Sequence, residues 1–144
     1  MKRSAWVATI AVAWAGLAAA QIQFECPNTL QVEQKAAAPT ALWESVDLDE
    51  DGRHRLVAAG LFDGPPLQRL GAMKPQGSEG QPRQGRFVQH FRWTEPPPAG
   101  VFLVCYYDRT SVVAHRRIEP GPRQCSLETV RGPHGLGPAV VRCQ

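Results

Sequence analysis

Nowhere in residues 21–144 of this 144-residue chain do apolar residues recur at helical spacing for three turns, and all 13 prolines lie in the same stretch, where they limit helix length further. Long helices are thereby excluded, and with them the crossovers that a parallel sheet requires. After residue 20 no apolar run approaches the length of about 18 residues that a spanning helix needs. An excess of one charge is missing too. The whole chain carries +3, and residues 21–144 carry 14 basic against 13 acidic side chains, a formal +1. A domain this near neutrality has no nucleic-acid footprint. Cys-x-x-Cys, Gly-x-Ser-x-Gly, a glycine-rich phosphate cradle and internal repeats are all absent from the sequence.

The first 20 residues have the anatomy of a secretory signal peptide. Lys2 and Arg3 form a basic start, Ala5 to Ala19 is apolar, and Ala18-Ala19-Ala20 places small residues before Gln21. Gln21 rather than cysteine follows the expected cleavage point, so no lipid anchor is expected. The reading is a soluble periplasmic protein with one disulfide-stapled β domain over residues 21–144.

Cys26, Cys105, Cys125 and Cys143 all lie in the exported part. An even count in a small secreted chain reads as a disulfide framework, and no cysteine or histidine spacing suggests zinc. Three pairings are open. Cys125 and Cys143 are symmetric about His134, within the turn-forming Gly132-Pro133-His134-Gly135-Leu136-Gly137-Pro138. A hairpin there sets these two opposite each other and leaves Cys26–Cys105 by elimination.

Strand signals recur throughout. Thr29 to Gln34 alternates, and Ala41 to Leu48 and Arg55 to Phe62 flank Asp49-Glu50-Asp51-Gly52, a hairpin signal. Residues 74–85 hold three glycines, two prolines and no large apolar side chain, and are expected to form a mobile loop. Phe87, Phe91 and Trp93 alternate as one buried face. Val101 to Tyr107 is unbroken apolar, a central strand, and Thr110 to Arg116 follows it. The fold class is all-β: an antiparallel sandwich or partly open barrel of seven to nine short strands with two disulfides.

Chemistry-bearing residues form no recognised set. Asp47, Asp49, Asp51 and Gly52 match the opening of a calcium loop, but the twelfth position is Ala58 rather than glutamate, so a solvated turn is expected. His54, His90, His115 and His134 lack ligand spacing; His90 and His115 lie on expected strands, where they could approach each other but are expected to be partly exposed strand histidines. A hydrolase would need two or three of His90, His115, Asp108 and Glu119 to converge in a cleft. No catalytic residue, metal or cofactor is assigned. Residues 21–52 carry seven acids and one base, whereas residues 53–144 carry thirteen bases and six acids. Twelve of the fourteen bases beyond residue 20 are arginine, which favours bidentate protein contacts. Arg83, Arg86, Arg116 and Arg117 are the candidate contacts for an acidic partner or the anionic cell wall.

The order Cys26-Pro27, Trp43, Asp63-Gly64-Pro65-Pro66, Leu70 with Lys74-Pro75, Arg92-Trp93, Cys105-Tyr106-Tyr107 and Cys125 resembles a family of small, uncharacterised exported proteins of proteobacteria. The resemblance implies export and a stapled β fold. In size and architecture the chain is also similar to periplasmic lysozyme inhibitors and to immunity proteins against cell-wall effectors. The function expected is a periplasmic binding or inhibitory module without catalysis, acting on a protein partner such as a cell-wall-directed enzyme or effector. The alternative is an accessory envelope protein that binds glycan or lipid through exposed Trp43 and Trp93.

Overall fold

The computed structural model describes residues 21–34, 51–68, 71–81, 85–133 and 135–144. These residues form nine strands: β1 (Ile22–Glu25), β2 (Thr29–Gln31), β3 (Arg53–Phe62), β4 (Gly77–Gln81), β5 (Arg86–Arg92), β6 (Val101–Tyr107), β7 (Val113–Ile118), β8 (Gln124–Gly132) and β9 (Gly135–Cys143). Every named pairing is antiparallel, in a five-stranded sheet ordered β1-β9-β8-β5-β4 and a four-stranded sheet ordered β2-β3-β6-β7. One 3₁₀ turn, Pro66–Gln68, completes the described secondary structure. The all-β antiparallel architecture expected from sequence is the one observed.

The core lies between the sheets. Phe91, Leu127, Ala139 and Val141 of the larger sheet, and Leu56, Leu61, Val101, Leu103 and Tyr107 of the smaller, are buried together. β6 buries its other face as well, because Phe102 and Val104 join Phe62 in a second cluster on the outside of the smaller sheet. That double burial is why β6 reads as an unbroken apolar run. β3 shows a different device. Leu56 pairs with Tyr107 and Ala58 with Tyr106, so Val57 is an extra residue, a β-bulge. Ahead of it the even residues His54 and Leu56 face the core; beyond it the odd residues Ala59 and Leu61 do. Phe62 is thereby turned to the outer cluster.

The disulfides are Cys26–Cys105 and Cys125–Cys143, the pairing favoured by the hairpin argument. Cys125 and Cys143 are direct cross-strand partners on β8 and β9. Cys26 sits where the chain leaves the larger sheet, its N–H donating to Ala139 O at 2.9 Å, and Cys105 is on β6 of the smaller. That bridge therefore joins the two sheets. Tyr107 reinforces the crossing, its hydroxyl donating to Pro27 O at 2.9 Å, and burial pushes the Tyr107 phenol above its ordinary range.

Several expectations are corrected. β1 had no place in the sequence reading, and β2 is three residues long rather than six. β3 pairs with β2 and β6, while residues 41–48, its expected hairpin partner, lie outside the described residues. Residues 77–81, expected to be loop, form the edge strand β4, because ladder bonds need only backbone. β7 starts at Val113 rather than Thr110: Thr110 Oγ1 accepts the Val112 N–H at 3.1 Å and Arg109 has φ +56°, which hold residues 108–112 in a turn. Phe87 is 40% exposed, unlike buried Phe91, and its ring lies across Gly80 of β4, where an added Cβ would meet it at 3.0 Å.

Candidate functional site

Alternation fixes what the outer face of the larger sheet presents. With Leu127, Val141 and Phe91 turned inward, Ser126, Glu128, Arg142, His90 and Arg92 point outward. The register sets Gly77, His90, Ser126, Arg142 and Gln23 in one row across all five strands. The next row is Glu79, Val88, Glu128, Val140 and Glu25. Neighbouring rows carry complementary groups. Glu128 Oε1 accepts from Arg86 Nε at 2.7 Å and Oε2 from Arg142 Nη1 at 3.1 Å, while Arg142 Nε donates to Gln23 Oε1 at 3.2 Å. His90 Nε2 lies 3.5 Å from Glu79 Oε1.

The hydrogen bond from Arg86, and secondarily the one from Arg142, hold the Glu128 carboxyl below its ordinary value of 4.5 against the opposing effect of burial. A lowered folded pKa stabilises the protein above the unfolded value and loses that contribution as pH falls through the folded one. Glu128→Gln is therefore expected to be less stable than the parent at pH 7, by no more than about 1 kcal/mol for a pair this accessible. The difference should shrink as pH drops below 4.5. Urea midpoints of both proteins at pH 7 and pH 3 check this, and a gap that widens in acid would contradict it.

The three candidate arginines among the described residues, Arg86, Arg116 and Arg117, are not on one surface. Arg83 lies outside the described residues. Arg86 is on the outer face of the larger sheet, engaged with Glu128. Arg116 stands on the inward register of β7 opposite Leu103, and its guanidinium stacks 4.0 Å above the Phe24 ring of β1. Arg117 faces the other way, with Nε 3.2 Å from Glu119 Oε1.

The groups a hydrolase would need are spread over different elements. His90 belongs to the larger sheet, and His115 to β7 of the smaller, its ring centroid 6.0 Å from that of Phe102. Asp108 accepts the Arg55 N–H at 2.6 Å in the β6–β7 turn, and Glu119 is held by Arg117. Among the described residues no three His, Cys, Asp or Glu side chains group as metal ligands. Asp47 to Glu50 of the calcium-like segment lie outside the described residues, whereas Asp51 and Gly52 form a turn whose carbonyls accept from Gln31 Nε2 and Val32 N. His54 differs from the other strand histidines, His90 and His115. It is fully buried, with Nδ1 2.7 Å from Asp108 O, so the imidazole anchors the β6–β7 turn to β3. Trp93 is partly buried, packed against the core with its ring stacked on Phe91 at 6.4 Å; Trp43 is outside the described residues.

One concave feature of this face escaped the sequence reading. At the end of the larger sheet where β5 and β9 finish and β4 and β8 begin, a groove of about 660 Å³ is lined by Gln76, His90, Arg92, Gln124, Ser126 and Arg142, among others. Its members are far apart in sequence and meet only through strand register.

The family model for type VI secretion system Tli immunity proteins matches residues 51–144, well over half of the chain, from the start of β3 to the end of β9. The matched stretch includes Asp63-Gly64-Pro65-Pro66, Cys105-Tyr106-Tyr107 and Cys125, but neither Cys26-Pro27 nor Trp43. No curated protein and no solved structure matches the chain. Among the described residues no helix is long and apolar enough to cross a membrane, and the two disulfides suit an oxidising compartment. The chain belongs to the type VI secretion system Tli immunity protein family, and is an immunity module that acts on a toxic effector by binding.

Proposed function

We propose that the protein is exported to the periplasm, with residues 1–20 as its signal peptide, and there neutralises by direct binding a toxic effector that reaches the same compartment. The family match over residues 51–144 carries this reading. The disulfides and the basic start followed by an apolar run support the compartment. Arg83, Arg86, Arg116 and Arg117 remain proposed contacts. Arg86 and Arg117 are the better placed of those described, because Arg116 is occupied by Phe24.

An inhibitor without chemistry of its own is consumed one copy per target. The purified, oxidised protein is therefore expected to abolish the activity of the secretion-system effector encoded beside its gene at about equimolar ratio, as a nanomolar complex titrated at micromolar concentration must. Effector activity that persists under a several-fold excess of the protein would sink the reading. The periplasmic product should begin at Gln21 by intact mass; a product that retains residues 1–20 would overturn the export assignment.

A further inference from the structure

The groove at the end of the larger sheet has a defined electrostatic character. Two arginines and a histidine line it, and no acidic side chain does. Glu79 pairs with His90 and Glu128 with Arg142. Arg92 has no carboxylate within ion-pair reach among the described residues, although its backbone is doubly fixed. Its N–H donates to Gln76 Oε1 at 2.7 Å, and Gln76 Nε2 donates to its carbonyl at 3.0 Å. The opposite walls cannot spread, since Cys125–Cys143 clamps the ends of β8 and β9 and Gln144 N–H donates to Gln124 O at 3.0 Å. The result is a preorganised basic groove, in which binding orders little. It also falls almost wholly inside the family-matched region.

We infer that this groove is the docking site for an acidic loop of the effector, with one carboxylate taken by Arg92 and the loop continuing toward Arg142. The inference rests on the immunity reading and deepens it by naming the surface. Arg92 and Arg142 flank β8, two strand spacings apart across the sheet and two residues apart along it, about 12 Å between backbones, a span that three to four residues of an extended acidic segment cover. Guanidinium forks match carboxylates in a bidentate geometry, and the Gln124 amide and Ser126 hydroxyl between them can pair with peptide groups.

The test measures affinity for the effector encoded beside this gene, by calorimetry, for the parent, Arg92→Glu, Ser126→Glu and a control, Arg131→Glu, on the β8–β9 hairpin away from the groove. Arg92→Glu and Ser126→Glu are each expected to weaken binding about 100-fold, and Arg131→Glu to change it by less than about threefold. Thermal midpoints recorded in parallel identify any variant that has lost its fold, and the two groove variants guard against that in each other. Restoration of Arg92→Glu binding by an acid-to-arginine change in an effector loop would locate the contact. If both groove variants bind like the parent, the groove assignment falls and the immunity reading stands. A parent protein that does not bind the effector at all overturns both.

Discussion

Replacing Cys26 and Cys105 together by alanine is expected to lower the free energy of unfolding by about 4.5 kcal/mol, the loop-entropy value for so long a closed loop. The two residues are 79 apart in sequence, against 18 for Cys125 and Cys143. The shorter loop gives about 3 kcal/mol by the same relation. Position reinforces the ranking. Cys125 and Cys143 belong to neighbouring strands already joined by a ladder, so reduction leaves them aligned. Cys26 and Cys105 belong to different sheets, and their bridge is the covalent tie between them. Since domains of this size are stable by only about 5–15 kcal/mol, the Cys26/Cys105 variant should be marginal at 37 °C. Urea unfolding of both double-alanine proteins decides the order, and a larger loss for the Cys125/Cys143 variant would reject the argument.

Leu127→Ala is the second large effect. Leu127 is fully buried on β8, paired with Gln89 on one side and Val141 on the other. Three rigidly paired strands leave the neighbours little freedom to collapse into the space, so the cost should be near the middle of the usual range, about 3–4 kcal/mol. The denaturant slope should stay as in the parent, because the variant exposes the same surface on unfolding. A loss below about 1 kcal/mol would mean that the two sheets can close over the cavity. Effector affinity measured below the unfolding transition should be unchanged, which separates this residue from those lining the groove.

What the sequence disclosed, and what it withheld, follows from the kind of signal each feature leaves. β6 was legible because both of its faces are buried, so every position from Val101 to Cys105 had to be apolar or cysteine. The β8–β9 hairpin was legible because the cysteines and the glycine-proline turn share one centre of symmetry. β4 left no signal: Gly77-Ser78-Glu79-Gly80-Gln81 pairs through its backbone, and Gly77 to Gly80 are exposed. β1, with Ile22 and Phe24 alone turned inward, is too short for alternation to stand out. The Val57 bulge concealed the burial of His54, since the pattern before it is one residue out of phase with the pattern after it. The groove was the least accessible feature. Gln76, Arg92, Gln124 and Arg142 have no common motif, and only the register of four strands makes them neighbours.

Arg116 has a bearing on protection itself. Among the described residues β7 is an edge strand, with a row of backbone donors and acceptors that no described strand pairs. A charged side chain on its inward register, drawn down onto Phe24 of the facing sheet, sets a long guanidinium between the two edge strands β7 and β1. A second strand that slid alongside would have to displace or bury that charge, so head-on pairing between copies is disfavoured. For an enzyme, a fraction lost to self-association slows turnover and little more. For a protector consumed one molecule per toxin molecule, each copy sequestered in a dimer is one toxin left active, so an edge that refuses its own kind keeps the whole cellular stock available for neutralisation.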